Sequence, residues 1–266
     1  MTAWSAGLAG LPAVSLAELD AEAALQTRVD RKYIVDPATW AQVLGALDGA
    51  RTLEIDGARS FRYSSVYYDT PELHSYRAAA RKRPQRYKVR TREYVDSGAR
   101  AIEVKLRSGK GETVKHRAWL TESHPADGAL VGEALAFVAS FPAVAGELAS
   151  LRPVLRTTYE RSTLLTPDGR VTIDRDVAGA AMGGEAVDFG DWLIVETKAA
   201  LRAGAADRAL WARGVRPSRV SKYCTTLAAL SPELPANRWA RTLRRHLRTL
   251  EPVTHGPTEL GSATAQ

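Results

Sequence analysis

Residues 87–117 read YKVRTREYVDSGARAIEVKLRSGKGETVKHR, and charge falls on every second position through most of that stretch. Lys88, Arg90 and Arg92 form one such row, Glu103, Lys105 and Arg107 a second, and Lys115 and Arg117 a third. Successive side chains of a β-strand point to opposite faces, so each row lies on one face of its strand. The residues between them are apolar, as Ile102, Val104 and Leu106 are in AIEVKLR. The pattern predicts a strand at about 86–95 and a hairpin pair at about 100–107 and 112–120. The Ser-Gly-Lys-Gly turn at 108–111 joins that pair. It lacks the glycine and hydroxyl spacing of a phosphate-binding loop and reads as a hairpin turn.

The same alternation returns further along. In LIVETK, Leu193, Val195 and Thr197 oppose Ile194, Glu196 and Lys198. In GRVTIDRDV, Val171, Ile173 and Val177 oppose Arg170, Thr172, Asp174 and Asp176. An ordinary antiparallel sheet with one wet face would give this alternation too. A wet face, however, mixes hydroxyls, amides and both signs of charge, whereas arginine and lysine dominate here. Like charges crowded in this way are costly unless an anion neutralises them. Curled with the charged face inward, the sheet would enclose a water-filled cationic tunnel, its apolar outside covered by helices. On this view, losing Arg90 or Arg92 should spare folding or improve it by relieving repulsion.

The rest of the chain supplies those helices and further strands. Helices are predicted at 15–26 (Ser15 as N-cap, Glu18 three residues on), 39–47, 71–82, 205–213 and from Ser221 to about 231. Residues 130–149 read as helical with a break at Pro142. Strands are predicted at 28–36, 60–70, 154–165, 169–177 and 192–201. A basic amphipathic helix spans 237–250, with Trp239, Leu243, Leu247 and Leu250 on one side, and the residues after Pro252 read as disordered. The seven or eight mostly antiparallel strands with helices between them make an α+β chain whose sheet can close into a barrel. The predicted organisation is a main domain over 1–230 and a basic tail over 231–266.

With 266 residues and a formal charge of +7, the chain can bury a large core and favours a polyanionic partner. The lone cysteine, Cys224, permits no internal disulfide. No apolar run approaches the roughly 20 residues of a membrane helix. The N-terminus lacks a basic leader, so a cytoplasmic location is expected. No nucleic-acid motif is present, and none of the five histidines has ligand spacing; His116 is expected on the outward face.

Taken in order, RKYIVD, SVYYDTP, KVRTRE, EVKLR, VKHR, TYERSTL, RVTIDRD, VETK and VSKY make the stretch from about Arg28 to Leu230 resemble the vacuolar transporter chaperone (VTC) domain. That domain belongs to the triphosphate tunnel metalloenzyme superfamily, and its eukaryotic catalytic member polymerises polyphosphate from ATP. The resemblance implies an antiparallel eight-stranded β-barrel, the triphosphate tunnel, with helices packed outside. By motif position it implies that Lys32, Arg90, Arg92, Lys105 and Lys222 act on the phosphates. Lys115, Arg161, Arg170 and Lys198 would bind them, Tyr159 and Ser221 would assist, and Glu196 would hold Mn²⁺ or Mg²⁺. Phosphoryl transfer needs charge neutralisation and alignment more than a protein nucleophile, so this inventory suits it.

Related CYTH-type enzymes open with Glu-x-Glu-x-Lys, where this chain has Arg28, Asp30 and Lys32. One metal carboxylate is thereby replaced by a cation, which favours the polymerase-like branch. The expected partners are ATP or another triphosphate, and polyphosphate. Three activities fit: transfer of the γ-phosphate of ATP to a polyphosphate chain, hydrolysis of triphosphate or polyphosphate, and non-catalytic polyphosphate binding. From the residues alone, Glu196 is equally readable as a cross-strand ion-pair partner and Ser221 as a plain helix cap.

Overall fold

The computed structural model describes residues 3–23, 29–109, 113–121, 128–200 and 202–250. Arg28, part of the 108–111 turn and the residues after Pro252 lie outside this set. The helices are α1 (Ala3–Ala9), α2 (Leu16–Ala23), α3 (Pro37–Leu44), α4 (His74–Ala80), α5 (Gly132–Ala139), α6 (Pro142–Ala145), α7 (Ala205–Ala212), α8 (Lys222–Leu230) and α9 (Ala240–His246). The strands are β1 (Ala13–Val14), β2 (Val29–Val35), β3 (Arg51–Leu53), β4 (Phe61–Asp69), β5 (Arg86–Tyr94), β6 (Ala99–Arg107), β7 (Thr113–Leu120), β8 (Arg152–Thr166), β9 (Gly169–Ala181), β10 (Ala186–Asp188), β11 (Leu193–Ala199) and β12 (Arg248–Leu250).

Eight of these strands form one antiparallel run in the order β2-β11-β9-β8-β4-β5-β6-β7. It is the expected eight-stranded sheet, curled into a half-barrel, with no β2–β7 ladder among the described residues. Short β10 and β12 extend the far half of β9, and β3 with β1 extends β8.

Apolar burial curls the sheet from outside. Tyr33, Val35, Val171, Ile173 and Val195 point outward and are covered by Trp4 of α1, Trp40 of α3 and Leu210 of α7. Val66, Tyr68, Val89, Ile102 and Val104 are covered by Ala134 and Val138 of α5 and Val144 of α6. At 25 cal/mol per Å², each fully buried large side chain contributes roughly 1.5–3 kcal/mol. Asp36 begins α3 by accepting the Thr39 N–H at 2.8 Å, with Pro37 at the first helical position. Pro142 separates α5 from α6, as its missing N–H predicts. His116 lies on the outward parity of β7, against Phe141.

Two expectations change. The tail helix stops at His246, and after Leu247 the residues Arg248–Leu250 pair with β10 as β12, where Arg248 reaches Asp188 at 3.3 Å. Trp239 and Leu243 pack onto the body, but Leu250 is 39% exposed. Val177, expected on the outward face, turns inward. An extra residue in β9 opposite Tyr159, with Asp176 at φ 50°, shifts the alternation by one. Such a bulge re-aims the side chains beyond it.

Candidate functional site

Register carries the charged rows to one concave wall. Lys32 of β2 stands opposite Glu196 of β11, which stands opposite Thr172 of β9. Arg161 of β8 faces Asp174 of β9. On the other side of the concavity, Arg90 of β5 faces Glu103 of β6, and Lys88, Lys105 and Lys115 lie side by side across β5, β6 and β7. Lys105 interacts electrostatically with Lys32 and Glu196, so the two sides meet across the lumen.

Three carboxylates organise this wall. Glu103, 2% exposed, takes two nitrogens of Arg90 at 2.7 and 2.5 Å, Lys115 at 3.3 Å and Arg92 at 4.0 Å. Asp174, 1% exposed, takes Arg161 at 2.6 and 2.8 Å and also Lys222. Glu196 takes Lys32 at 3.0 Å and lies 3.1 Å from Lys198. Burial opposes ionisation of all three, but the cations outweigh it and hold each carboxyl below the usual range.

Arg90 is therefore half of a buried pair. Its removal would leave Glu103 short of a bidentate partner, so the expectation that Arg90 can be lost without cost to folding is corrected here. Buried Arg92 sits near the same carboxylate and donates to Ser65 at 3.4 Å.

The cations still outnumber these carboxylates, and some buried donors stay unused. The Lys198 ammonium lies near Glu196 without an aligned hydrogen bond, and the hydroxyls of Tyr159 and Thr172 have no partner among the described residues. Burial, with Arg161 and Lys32 nearby, pushes Lys198 down to about 8 against the pull of Glu196. Lys105 reaches lumen solvent, yet enclosure by the wall and repulsion from Lys32 lower its pKa. Buried donors without acceptors are rare in folded proteins, and here they face a surplus of positive charge.

Helix α8 completes the wall from the concave side. Tyr223 stacks on Tyr67 with centroids 5.0 Å apart, and Tyr223 and Cys224 pack against Leu155. Ser221 caps the helix by accepting the Cys224 N–H at 3.3 Å and takes a hydrogen bond from Lys88 at 2.8 Å. One hydroxyl thus both caps the helix and holds a lysine of the concave wall. Lys222 lies 4.3 Å from the Tyr159 ring centroid. The N-terminus of α8, positive by its peptide dipoles, thus adds to the field.

Of the residues predicted for the site, Lys32, Arg90, Arg92, Lys105, Lys115, Tyr159, Arg161, Glu196, Lys198, Ser221 and Lys222 come together here. Arg170 keeps the inward parity but sits at the rim, 3.9 Å from Asp20 of α2. Lys88 and Asp174, which lie on the charged faces by sequence parity but outside the predicted site set, belong to the same wall. So does Tyr63 of β4, a strand that carries none of the predicted site residues, so only the fold brings it in.

A divalent cation finds little ready-made coordination here. Among the described residues no group of three His, Cys, Asp or Glu side chains could hold a metal. Glu196 is held ionised, and of a carboxylate's roughly four lone-pair positions Lys32 takes one by hydrogen bond. Glu196 fits a hard cation whose other ligands are phosphate oxygens and water, an arrangement typical of Mg²⁺ in phosphoryl-transfer sites.

A family model described as the VTC domain matches residues 27–231. No curated protein matches the sequence. Among solved structures, a candidate adenylate cyclase from Vibrio parahaemolyticus is 15% identical, with 71% of this chain and 87% of that one covered and a TM-score of 0.40. A candidate adenylyl cyclase from Hippeastrum, described as having a dominant triphosphatase activity, is 14% identical, with 78% and 97% covered and a TM-score of 0.48. Likeness at this level bears on neither substrate nor activity.

Proposed function

The chain belongs to the VTC domain family, and from that premise we propose that it transfers the γ-phosphate of ATP to a polyphosphate chain within the cationic concavity. The observation that carries the reading is the surplus of inward cations beside unpartnered buried donors. Such a wall is complementary to a chain of phosphates, which brings several negative charges and many acceptor oxygens at once. In the reaction a terminal oxygen of the polyphosphate attacks the γ-phosphorus, the bond to the β–γ bridging oxygen breaks, and the nucleoside diphosphate leaves.

Arg90 and Arg161, whose forks grip Glu103 and Asp174, would turn their remaining N–H groups to phosphate oxygens beside Arg92, while Lys32, Lys105, Lys115, Lys198 and Lys222 would act as point charges. Tyr159 supplies a hydroxyl beside Lys222, and Ser221 places Lys88. Arg170 at the rim would meet the part of a longer chain that leaves the centre. A Mn²⁺ or Mg²⁺ ion bound by Glu196 and the phosphates would neutralise charge developing on the transferred group.

Hydrolysis is the second reading, favoured by α8. The helix covers the concave face at Leu155 and Gly179, which shortens the space for a growing chain. Incubation with ATP and Mn²⁺, followed by gel separation of long polyphosphate from free phosphate, decides between them. Long chains support transfer, and free phosphate alone supports hydrolysis. Tripolyphosphate binding without either product would reduce the protein to a binding module and overturn the enzymatic proposal.

A further inference from the structure

A row of aromatic rings crosses the concave wall and ends in the open. Tyr159 of β8 stacks on Tyr63 of β4 with centroids 5.2 Å apart and planes 6° from parallel. Tyr63 meets Tyr94 of β5 at 5.1 Å, and Tyr94 meets Trp119 of β7 at 5.3 Å. Cations lie against these rings throughout: Arg161 and Arg92 against Tyr63 and Tyr159, Arg117 against Trp119 at 5.0 Å.

Tyr159 is buried and Tyr63 and Tyr94 are half-buried, but Trp119 is 55% exposed although it shares the inward parity of Lys115 and Arg117. Arg117 also donates to the Tyr94 hydroxyl at 3.0 Å, which fixes the guanidinium beside the indole. Packing on Tyr94 and Arg117 covers one side of the indole, and the rest is left in water on a wall otherwise built for anions.

We propose that Trp119, backed by Arg117 and Tyr94, is a stacking platform for the purine base of a nucleoside triphosphate whose phosphates lie on Arg90, Arg92 and Lys115. This rests on the phosphate-binding reading above and adds to it the organic half of the substrate. The spacing suits it. Trp119 is four residues along β7 from Lys115, about 13 Å at the usual strand rise, comparable to an extended nucleoside triphosphate. A bare phosphate chain has no group for the indole, and an exposed indole beside a guanidinium suits a flat, electron-rich ring.

The test compares ATP with tripolyphosphate, which has the phosphates but no base. Affinities are measured by titration calorimetry for wild type, Trp119→Ala and Trp119→Phe. Wild type should bind ATP with a contribution that Trp119→Ala removes. The ATP affinity of that variant should fall roughly ten- to hundredfold, the usual worth of one base–aromatic stack, with tripolyphosphate binding unchanged. Trp119→Phe should keep most of the ATP affinity. Unchanged tripolyphosphate binding also shows that the variants are folded. An equal loss for both ligands, or no loss for ATP, would overturn the platform and leave the phosphate site standing. Wild type that binds neither compound would overturn the phosphate reading, and the platform with it.

Discussion

Arg90 shows how a binding residue can also be a folding residue. Its guanidinium holds the buried Glu103 carboxylate in two short contacts and reaches the Tyr67 hydroxyl at 3.0 Å. Arg90→Ala should lower stability by about 1.5–3 kcal/mol, the worth of a charged hydrogen bond in a buried setting, while Arg92 and Lys115 limit the damage. Chemical denaturation would measure this, and an unchanged midpoint would show that Arg90 and Glu103 are not coupled. Lys198 invites a test by pH. Its pKa is depressed to about 8, so the ammonium is charged below that value and neutral above it. Tripolyphosphate affinity should therefore fall between pH 7 and pH 9, whereas in Lys198→Arg, always protonated, it should fall much less. Parallel pH profiles for the two proteins would count against Lys198 as a phosphate ligand. None of this pairing is legible in the sequence, because Lys222 lies 48 positions from Asp174 and Lys32 lies 164 from Glu196. The charged face follows from parity; the partner of each charge follows only from register.

Strands were more legible than the ends of helices. The period-two rows survive into β5, β6, β7 and β11 because one face is apolar in each, and a slip of one residue would bury charge. The bulge in β9 escaped because Asp176 gives no glycine signal for its left-handed backbone. The tail was read as helix throughout because its leucines fit a helical stripe, yet the unpaired edge of β10 takes Arg248–Leu250 as a strand. Element packing is most exposed to test at α8. A Cβ added at Gly179 would lie 2.3 Å from Cγ2 of Thr226, a side chain fully enclosed between the helix and the wall. Gly179→Ala should lower stability by about 1–3 kcal/mol, as overpacking usually does, and Thr226→Ala in the same chain should recover part of it. Thermal melts that show no loss, or no recovery, would mean that α8 does not pack on the concave face.

At the scale of the whole molecule the lumen is an electrostatic device that works against its own fold. Lys88, Lys105 and Lys115 stand side by side with the Glu103 contact of Lys115 as their one recorded ion pair among the described residues. Like charges directly opposite on neighbouring strands are destabilising. Without an anion this repulsion is only partly relieved by Glu103 and Glu196, so added salt should raise the melting temperature of the free protein by screening the rest. Tripolyphosphate should raise it further by binding only the folded state, and most at low salt, where the lumen's field is strongest. The two effects must therefore compete, and the gain from ligand should shrink as salt increases. Melts at about 0.05 M and 0.5 M salt, where the Debye length falls from roughly 14 to 4 Å, would measure the competition. A ligand-induced gain that is the same at both salt levels would mean that the phosphates are held away from the surplus charge, and the cationic lumen would then lose its role in binding.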